Sequence, residues 1–340
     1  MPNSNDLTEV DPAQPIALVL GITGSFGRAI AATLARRGFR IRALRRDTTA
    51  KQDFTLHPVE WITGDAMDGS AVTRAAQGAA LIVHGVNPPR FRKWRELAIP
   101  MLKNTIAAAI DNKATILFPA NIYVFGSDAP ATVSEVSARM PTTRKGVVRQ
   151  EMEKLLSDAS RVHGIRIIAV RAGDFFGPGV RSSWFTQAVA KDGRDARSIK
   201  QLTAPGIGHG WAYVPDLSET FGRLVDIREK LAPFEMVHFT GHYDDTGLML
   251  AEAVVQEIGR PDLRIKPFPW FTVYLAAPFV PFLRETIEMM WLWKHPLRLD
   301  NTKLIRLIGP EPHTPLEQAV SAALGPRPIA FASPQTATSL

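Results

Sequence analysis

The sequence contains no cysteine. That absence excludes disulfides, thiolate zinc sites and thiol nucleophiles. No apolar run reaches the roughly 20 residues of a membrane-spanning helix. The best candidate, residues 268–283, is interrupted by Pro269, Pro278 and Pro281. It reads as core or pocket wall, with peripheral membrane contact as the lesser alternative. The opening residues lack the basic and apolar regions of a secretory leader, so the cytoplasm is the expected location. The formal net charge is +7, but Lys and Arg are dispersed among Asp and Glu. This is the pattern of a solvated surface, and no nucleic-acid partner is expected. The eight histidines are scattered, with a Thr-Gly break between His238 and His242, so no metal site is expected.

Apolar residues make up 45% of the 340 positions, enough for a sizeable core. In the first half, short apolar runs at 16–20, 40–44, 59–63, 81–83, 115–119 and 166–171 alternate with helix-spaced segments at 26–37, 71–77, 94–110 and 147–163. Such alternation predicts an α/β fold with a doubly wound parallel Rossmann sheet. Beyond Gly179 the alternation weakens and Gly, Pro, Trp and Phe become frequent, predicting a smaller C-terminal substrate lobe. The expected organisation is a loose arm at 1–14, a dinucleotide-binding domain at 15–178, a lobe at 179–325 with segments returning to that domain, and a loose tail at 326–340.

The run Gly21-Ile22-Thr23-Gly24-Ser25-Phe26-Gly27 follows the first strand and opens the first helix. Its glycines have the offsets that allow a sharp turn, close approach to a pyrophosphate and tight helix packing. The N–H groups of the helix then face the phosphates. At the end of the second strand stand Arg45 and Arg46, with no carboxylate before Asp47. Guanidinium groups there suit a 2′-phosphate, whereas a carboxylate would suit a free ribose. NADP(H) is therefore the expected cofactor, with NAD(H) the weaker alternative.

Several ordered motifs over residues 16–324 carry a resemblance to the extended short-chain dehydrogenase/reductase superfamily, in its NAD(P)-dependent epimerase/dehydratase group. They are GITGSFG, Gly64-Asp65 after the third strand, Asn104 in LKNTIAAA, RAGDFFGPG from Arg171, and WAYVPDLSETF from Trp211. The resemblance implies that Asp65 and Ala66, Val86 and Asn87, and Ala172 and Gly173 also border the dinucleotide. It also makes a homodimer an expectation. The family places a Ser or Thr after its fifth strand and a Tyr-x-x-x-Lys pair on the next helix. In register with those positions this chain has Asn121, Lys145 and Arg149.

Residues four apart share a helix face, so the site geometry can survive these substitutions. Arg149 retains donors for ribose hydroxyls, and its charge is expected to favour a neutral Lys145, making Lys145 the leading acid/base group. Asn121 can donate to a substrate carbonyl. Tyr123 is the alternative proton donor, on the same face as Asn121 if the strand continues. The expected pocket wall comprises Asn87, Trp94, Tyr123, Asp174, Trp184 and Trp211. The expected function is that of an NADP(H)-dependent oxidoreductase or epimerase-like enzyme acting on a small organic carbonyl or hydroxyl compound or a sugar nucleotide. The rival is a non-catalytic NADP(H)-binding sensor or partner-binding protein.

Overall fold

The computed structural model describes residues 14–46, 58–88, 94–181, 183–260 and 262–326. Apart from Gln14 and Pro326, the expected arm and tail lie outside the described residues, as does Asp47. Seven parallel strands form the central sheet: β1 (Ile16–Leu20), β2 (Arg40–Arg45), β3 (Val59–Thr63), β4 (Ala79–His84), β5 (Thr115–Asn121), β6 (Ile167–Ala172) and β7 (Phe234–His238). Their order is β7-β6-β5-β4-β1-β2-β3, so the chain reverses its direction of winding between β1 and β4. Crevices at such a reversal receive ligands at the carboxyl ends of the strands.

The alternation along β1 shows why both faces need cover. Ala17 and Val19 enter one apolar cluster, while Leu18 and Leu20 enter the other. Helix α1 (Ser25–Ala35) covers the first face together with α5 (Val214–Asp226). On the opposite face lie α2 (Gly69–Ala76), α3 (Trp94–Asn112) and α4 (Arg144–His163). A parallel strand buried on both sides reads as a continuous apolar run, which is how β1 and β4 announce themselves.

All six expected strands are present within two residues at each end, and β7 is added. That strand is short, lies at the sheet edge and falls where the βα rhythm has faded, so its periodicity gave no separate signal. Helix α4 starts three residues earlier than expected. Thr143 Oγ1 accepts from the Gly146 amide at 3.0 Å and caps the helix, bringing Lys145 into its first turn. Asp244 is buried. Its Oδ1 accepts from the amides of Thr246 and Gly247, at 3.0 and 2.7 Å.

The remaining chain builds a second layer over the strand ends. A three-stranded sheet runs in the order His242–Asp244, His209–Tyr213, Asp174–Phe176, and Ser198–Gln201 pairs in parallel with Arg264–Pro267. Around them pack α6 (Met249–Ile258), α7 (Trp270–Ala276), α8 (Pro281–Glu288) and α10 (Leu316–Leu324), while α9 (Thr302–Ile308) packs beside β7 and α5. Phe176, Phe185, Trp211, Leu250, Val254 and Trp293 centre its core.

A buried charge pair joins β5, α4 and β6. Arg171, only 1% exposed, donates through Nη1 to the Asn121 carbonyl and through Nη2 to Glu153 Oε2 at 2.9 Å. Arg139 adds a second donor to the same carboxylate at 3.0 Å. Removing one partner of a buried pair strands the other charge, at a cost of about 3 kcal/mol or more. Glu153→Ala should therefore lower the unfolding free energy from urea titration by that amount, and an unchanged midpoint would show that the pair does not brace the fold.

Candidate active site

The glycine turn is built for contact between main chains. Gly21 has φ +89°, and a Cβ there would lie 2.5 Å from the Gly85 carbonyl oxygen. On Gly27 a Cβ would overlap the Gly21 carbonyl, so α1 can approach the turn only without a side chain. Gly24 is the N-cap residue of α1, in extended conformation and with no side-chain cap, which leaves the first-turn amides for an anion. Thr23 is exposed beside it and Ser25 is half-buried. Phe26 turns its ring inward, 5.3 Å from Phe221 and 6.4 Å from Phe175, pinning α1 to α5 and to the second layer.

The loop after β3 is held from α3. Asn104 Nδ2 donates to the Ala66 carbonyl at 2.9 Å, and Asp65 Oδ1 accepts from the Met67 amide at 3.0 Å. The guanidinium of Arg45 lies over the Trp61 ring at 4.8 Å, and Arg46 is exposed at the strand end. Trp61 was missed in the sequence because it lies on the neighbouring strand, beyond the reach of local spacing. The residues fit a dinucleotide. The cradle admits the pyrophosphate backbone, and the two arginines supply cations.

Where the glycine turn meets the second layer lies a cavity of about 260 Å³. Phe26, Val86, Asn87, Trp94, Asn121, Tyr123, Lys145, Arg149, Gly173, Asp174 and Trp184 all contribute to its wall. Gly173 is confined there, because a Cβ on it would overlap the Gly210 carbonyl, and the adjoining Ala172 is fully buried. Trp211 is the exception. Its strand pairs it with Asp174, and its ring turns to His209 and Trp293 inside the lobe core. The expectation that Trp211 lines the pocket is therefore corrected.

Lys145 is 4% exposed, and its nearest charges differ from those expected. Its Nζ lies 2.6 Å from Glu285 Oε2 and 3.8 Å from Glu288 Oε2, and it donates to the Glu285 carbonyl at 3.2 Å. Its own amide donates to Glu288 Oε1 at 3.2 Å. Carboxylates, rather than the Arg149 cation alone, define its surroundings. Both come from α8, three residues apart and hence on one face, and Glu285 lines the cavity. The sequence shows that spacing but offers no sign that α8 folds back onto α4.

Arg149 donates from Nη2 to Asn87 Oδ1 at 3.0 Å and stacks over Trp94 at 5.0 Å. Burial pulls its pKa down to about 10. Strand β5 ends at Asn121, whose Oδ1 accepts from the Tyr123 amide at 3.1 Å and starts a 3-10 turn over Ile122–Val124. The condition placed on Tyr123, a continuing strand, is thus not met, yet the turn still brings its side chain to the cavity. Burial, reinforced by the Asp174 charge, pushes the phenol pKa well up, so Tyr123 remains neutral.

Two buried histidines lie at and beside the cavity, His84 at the end of β4 and His209 in the second layer. Thr105 donates its hydroxyl to the Met101 carbonyl, so it must accept from His84 Nδ1–H at 2.8 Å. That bond fixes the neutral tautomer of a ring on the cavity wall. His84 is pulled down to about 3 by burial and by the Arg149 charge. Behind Asp174, in the lobe, His209 Nε2 lies 2.9 Å from Asp174 Oδ2, and its ring stacks on Trp293 at 4.1 Å. Asp174 reaches the cavity already engaged by this partner.

The model of the NAD dependent epimerase/dehydratase family matches residues 17–230. A UDP-galactose 4-epimerase structure is similar at 20% identity and a TM-score of 0.69, covering 91% of this chain and 97% of that one. UDP-glucose 4-epimerase from Bifidobacterium longum, solved with NAD+ and UDP, is 14% identical with a TM-score of 0.70, over 91% and 97% of the two chains. The epimerase Mth375 from Methanothermobacter thermautotrophicus is 14% identical with a TM-score of 0.73, over 92% and 91%. At these identities the likeness is one of fold. None of the curated proteins matches the sequence.

Two outcomes test this geometry. Gly27→Ala should raise the NADPH dissociation constant more than about tenfold, the effect of losing about 1.4 kcal/mol. Fluorescence titration measures it, with circular dichroism to verify folding, and unchanged affinity would refute the cradle. The second outcome concerns acid. His84, His238 and His242 are lowered to about 3, 3 and 4, so between those values and 6.5 the unfolded chain binds more protons. Stability must then rise with pH through that window and fall as pH drops below 6.5. His84 alone contributes a slope of up to about 1.4 kcal/mol per pH unit. Urea midpoints between pH 7 and 5 should follow this course, with His84→Gln flattening it.

Proposed function

The chain belongs to the NAD dependent epimerase/dehydratase family, and we propose that it is an NADP(H)-dependent oxidoreductase or epimerase-like enzyme whose acid/base group is Lys145 held by Glu285. The observation that carries this reading is the Lys145–Glu285 ion pair at 2.6 Å on the wall of the shared cavity. Arg45 and Arg46 support the phosphorylated cofactor. When bound, the nicotinamide supplies or accepts the hydride.

The protein manages the proton. In the reducing direction the Lys145 ammonium gives a proton to the carbonyl oxygen as the carbon gains hydride, and the amine is reprotonated from solvent. Glu285 remains a carboxylate throughout and returns Nζ to position. Asn121 Oδ1 is occupied by the Tyr123 amide, which leaves its Nδ2 to donate to the substrate oxygen. Arg149, fixed by Asn87 and Trp94, keeps donors at the cofactor side. Tyr123 is a weaker choice because its raised pKa opposes proton loss.

Aromatic and aliphatic side chains supply much of the wall, and its two cations are already engaged by Glu285 and Asn87. This favours an uncharged carbonyl or hydroxyl substrate. The similarity to a fold solved with UDP keeps sugar nucleotides as the second class to screen.

The test is turnover with NADPH across ketones, enones and UDP-sugars. Lys145→Ala should lower kcat by about 10²–10⁴-fold, the worth of positioned proton transfer. Glu285→Gln should lower it less and displace the pH profile, while Tyr123→Phe should stay near wild type. Unchanged turnover in Lys145→Ala would remove the assignment, and equal affinities for NADPH and NADH would remove the cofactor preference. Bound NADPH that no substrate class oxidises, together with partner binding that differs between NADP+ and NADPH, would favour the sensor.

A further inference from the structure

Helix α7 is apolar on both sides, yet only one side is covered. Trp270, Val273 and Ala277 fall at i, i+3 and i+7 and turn inward, and the Trp270 indole donates to the Leu202 carbonyl at 3.1 Å. On the other side Phe271 is 74% exposed, Leu275 61% and, in the following turn, Phe279 85%. Tyr274 and Val280 extend the same exposed surface. A helix with two apolar faces is normally buried, and a contiguous exposed patch of this kind marks an interaction site.

The charges nearby indicate what covers it. Exposed Arg264 and Lys266 precede the segment, and exposed Arg284 and Lys294 follow it. The acids of α8, Glu285 and Glu288, are turned away into ion pairs with Lys145 and Arg144. Along the chain the exposed apolar segment is thus flanked by cations on both sides. A protruding apolar surface with an aromatic content and a basic border is complementary to an anionic bilayer surface. Among the described residues no helix is long and apolar enough to cross a membrane, so the geometry is that of a segment lying in the interface.

We propose that the α7–α8 segment docks this protein on the surface of an anionic lipid bilayer, with Phe271, Leu275 and Phe279 entering the headgroup region. The inference is separate from the proposed reaction. It needs neither cofactor nor substrate, so either can fail alone. It places the bilayer beside an element that also walls the cavity, because α8 contributes Glu285 and Thr286 to it.

The experiment is co-sedimentation of the full chain with vesicles of phosphatidylcholine alone and of phosphatidylcholine mixed equally with phosphatidylglycerol. The wild type should bind the mixed vesicles and bind the neutral ones at least tenfold more weakly. The double variant Phe271→Asp/Phe279→Asp should need at least tenfold more lipid for half-binding, with NADPH affinity and circular dichroism unchanged. Charge reversal at Lys266 and Arg284 should weaken binding to the mixed vesicles alone. Hydrogen exchange on the wild type gives a second reading independent of any variant, with lipid-dependent protection concentrated over residues 270–283. The proposal is overturned if the wild type ignores both vesicle types, or if protection falls elsewhere. It is equally overturned if sedimentation velocity shows a dimer that the phenylalanine variant dissociates, since a second copy would then be the occupant.

Discussion

Arg171 holds three pieces of the site in register from beneath. Its guanidinium reaches the last carbonyl of β5 and a carboxylate in the middle of α4 while its own main chain stays in β6. Desolvating this cation is costly, and Glu153 repays that cost only while α4 lies at one height over the sheet. The same height sets where Lys145 and Arg149 emerge, two turns and one turn earlier on the helix. Asn121, carrying the bonded carbonyl, is then fixed relative to both. A pair of buried charges remote from the cofactor turn therefore decides whether the three substituted positions can share one cavity.

That positioning gives meaning to the substitutions. A tyrosine-lysine pair places one neutral and one cationic group along a helix face, whereas this chain places two cations there. Two neighbouring cations in a small cavity need compensation, and it arrives from outside the sheet. Glu285 and Glu288 approach Lys145 from α8, while Arg149 is buried against the Asn87 amide and the rings of Trp94 and Phe118. A buried lysine at this position without the carboxylates of α8 would be a stranded charge.

Much of the fold was legible because its signals are local. The continuous apolar runs of β1 and β4 and the glycine offsets at 21, 24 and 27 each act within a few residues. The register of Asn121, Lys145 and Arg149 could be counted from flanking motifs, and all three reach the cavity. What stayed hidden depends on contacts between distant segments. Glu285 lies 140 positions from Lys145, with only an i, i+3 spacing to mark its helix face. His209 was unreadable because its partner, Asp174, lies on a strand that becomes a neighbour only in the folded lobe. Trp211 was misplaced for a related reason. Its side of the strand is set by pairing with residue 174, which a glycine- and aromatic-rich stretch does not reveal.

The balance of charge around the cavity bears on what can enter it. Lys145 faces two carboxylates, Arg149 meets a neutral amide, and Asp174 is taken by His209. A dianionic ligand would have to draw Lys145 from Glu285 or Arg149 from Asn87, leaving a buried group without its partner, at a cost of several kcal/mol. A neutral ligand asks for no such exchange. It needs one donor for its oxygen, which Asn121 and Lys145 can provide, and an apolar surface for the rest, which Trp94, Trp184 and Phe268 provide. The aromatic series from Phe268 through Trp270 and Trp184 to Trp293 links that surface to the covered face of α7.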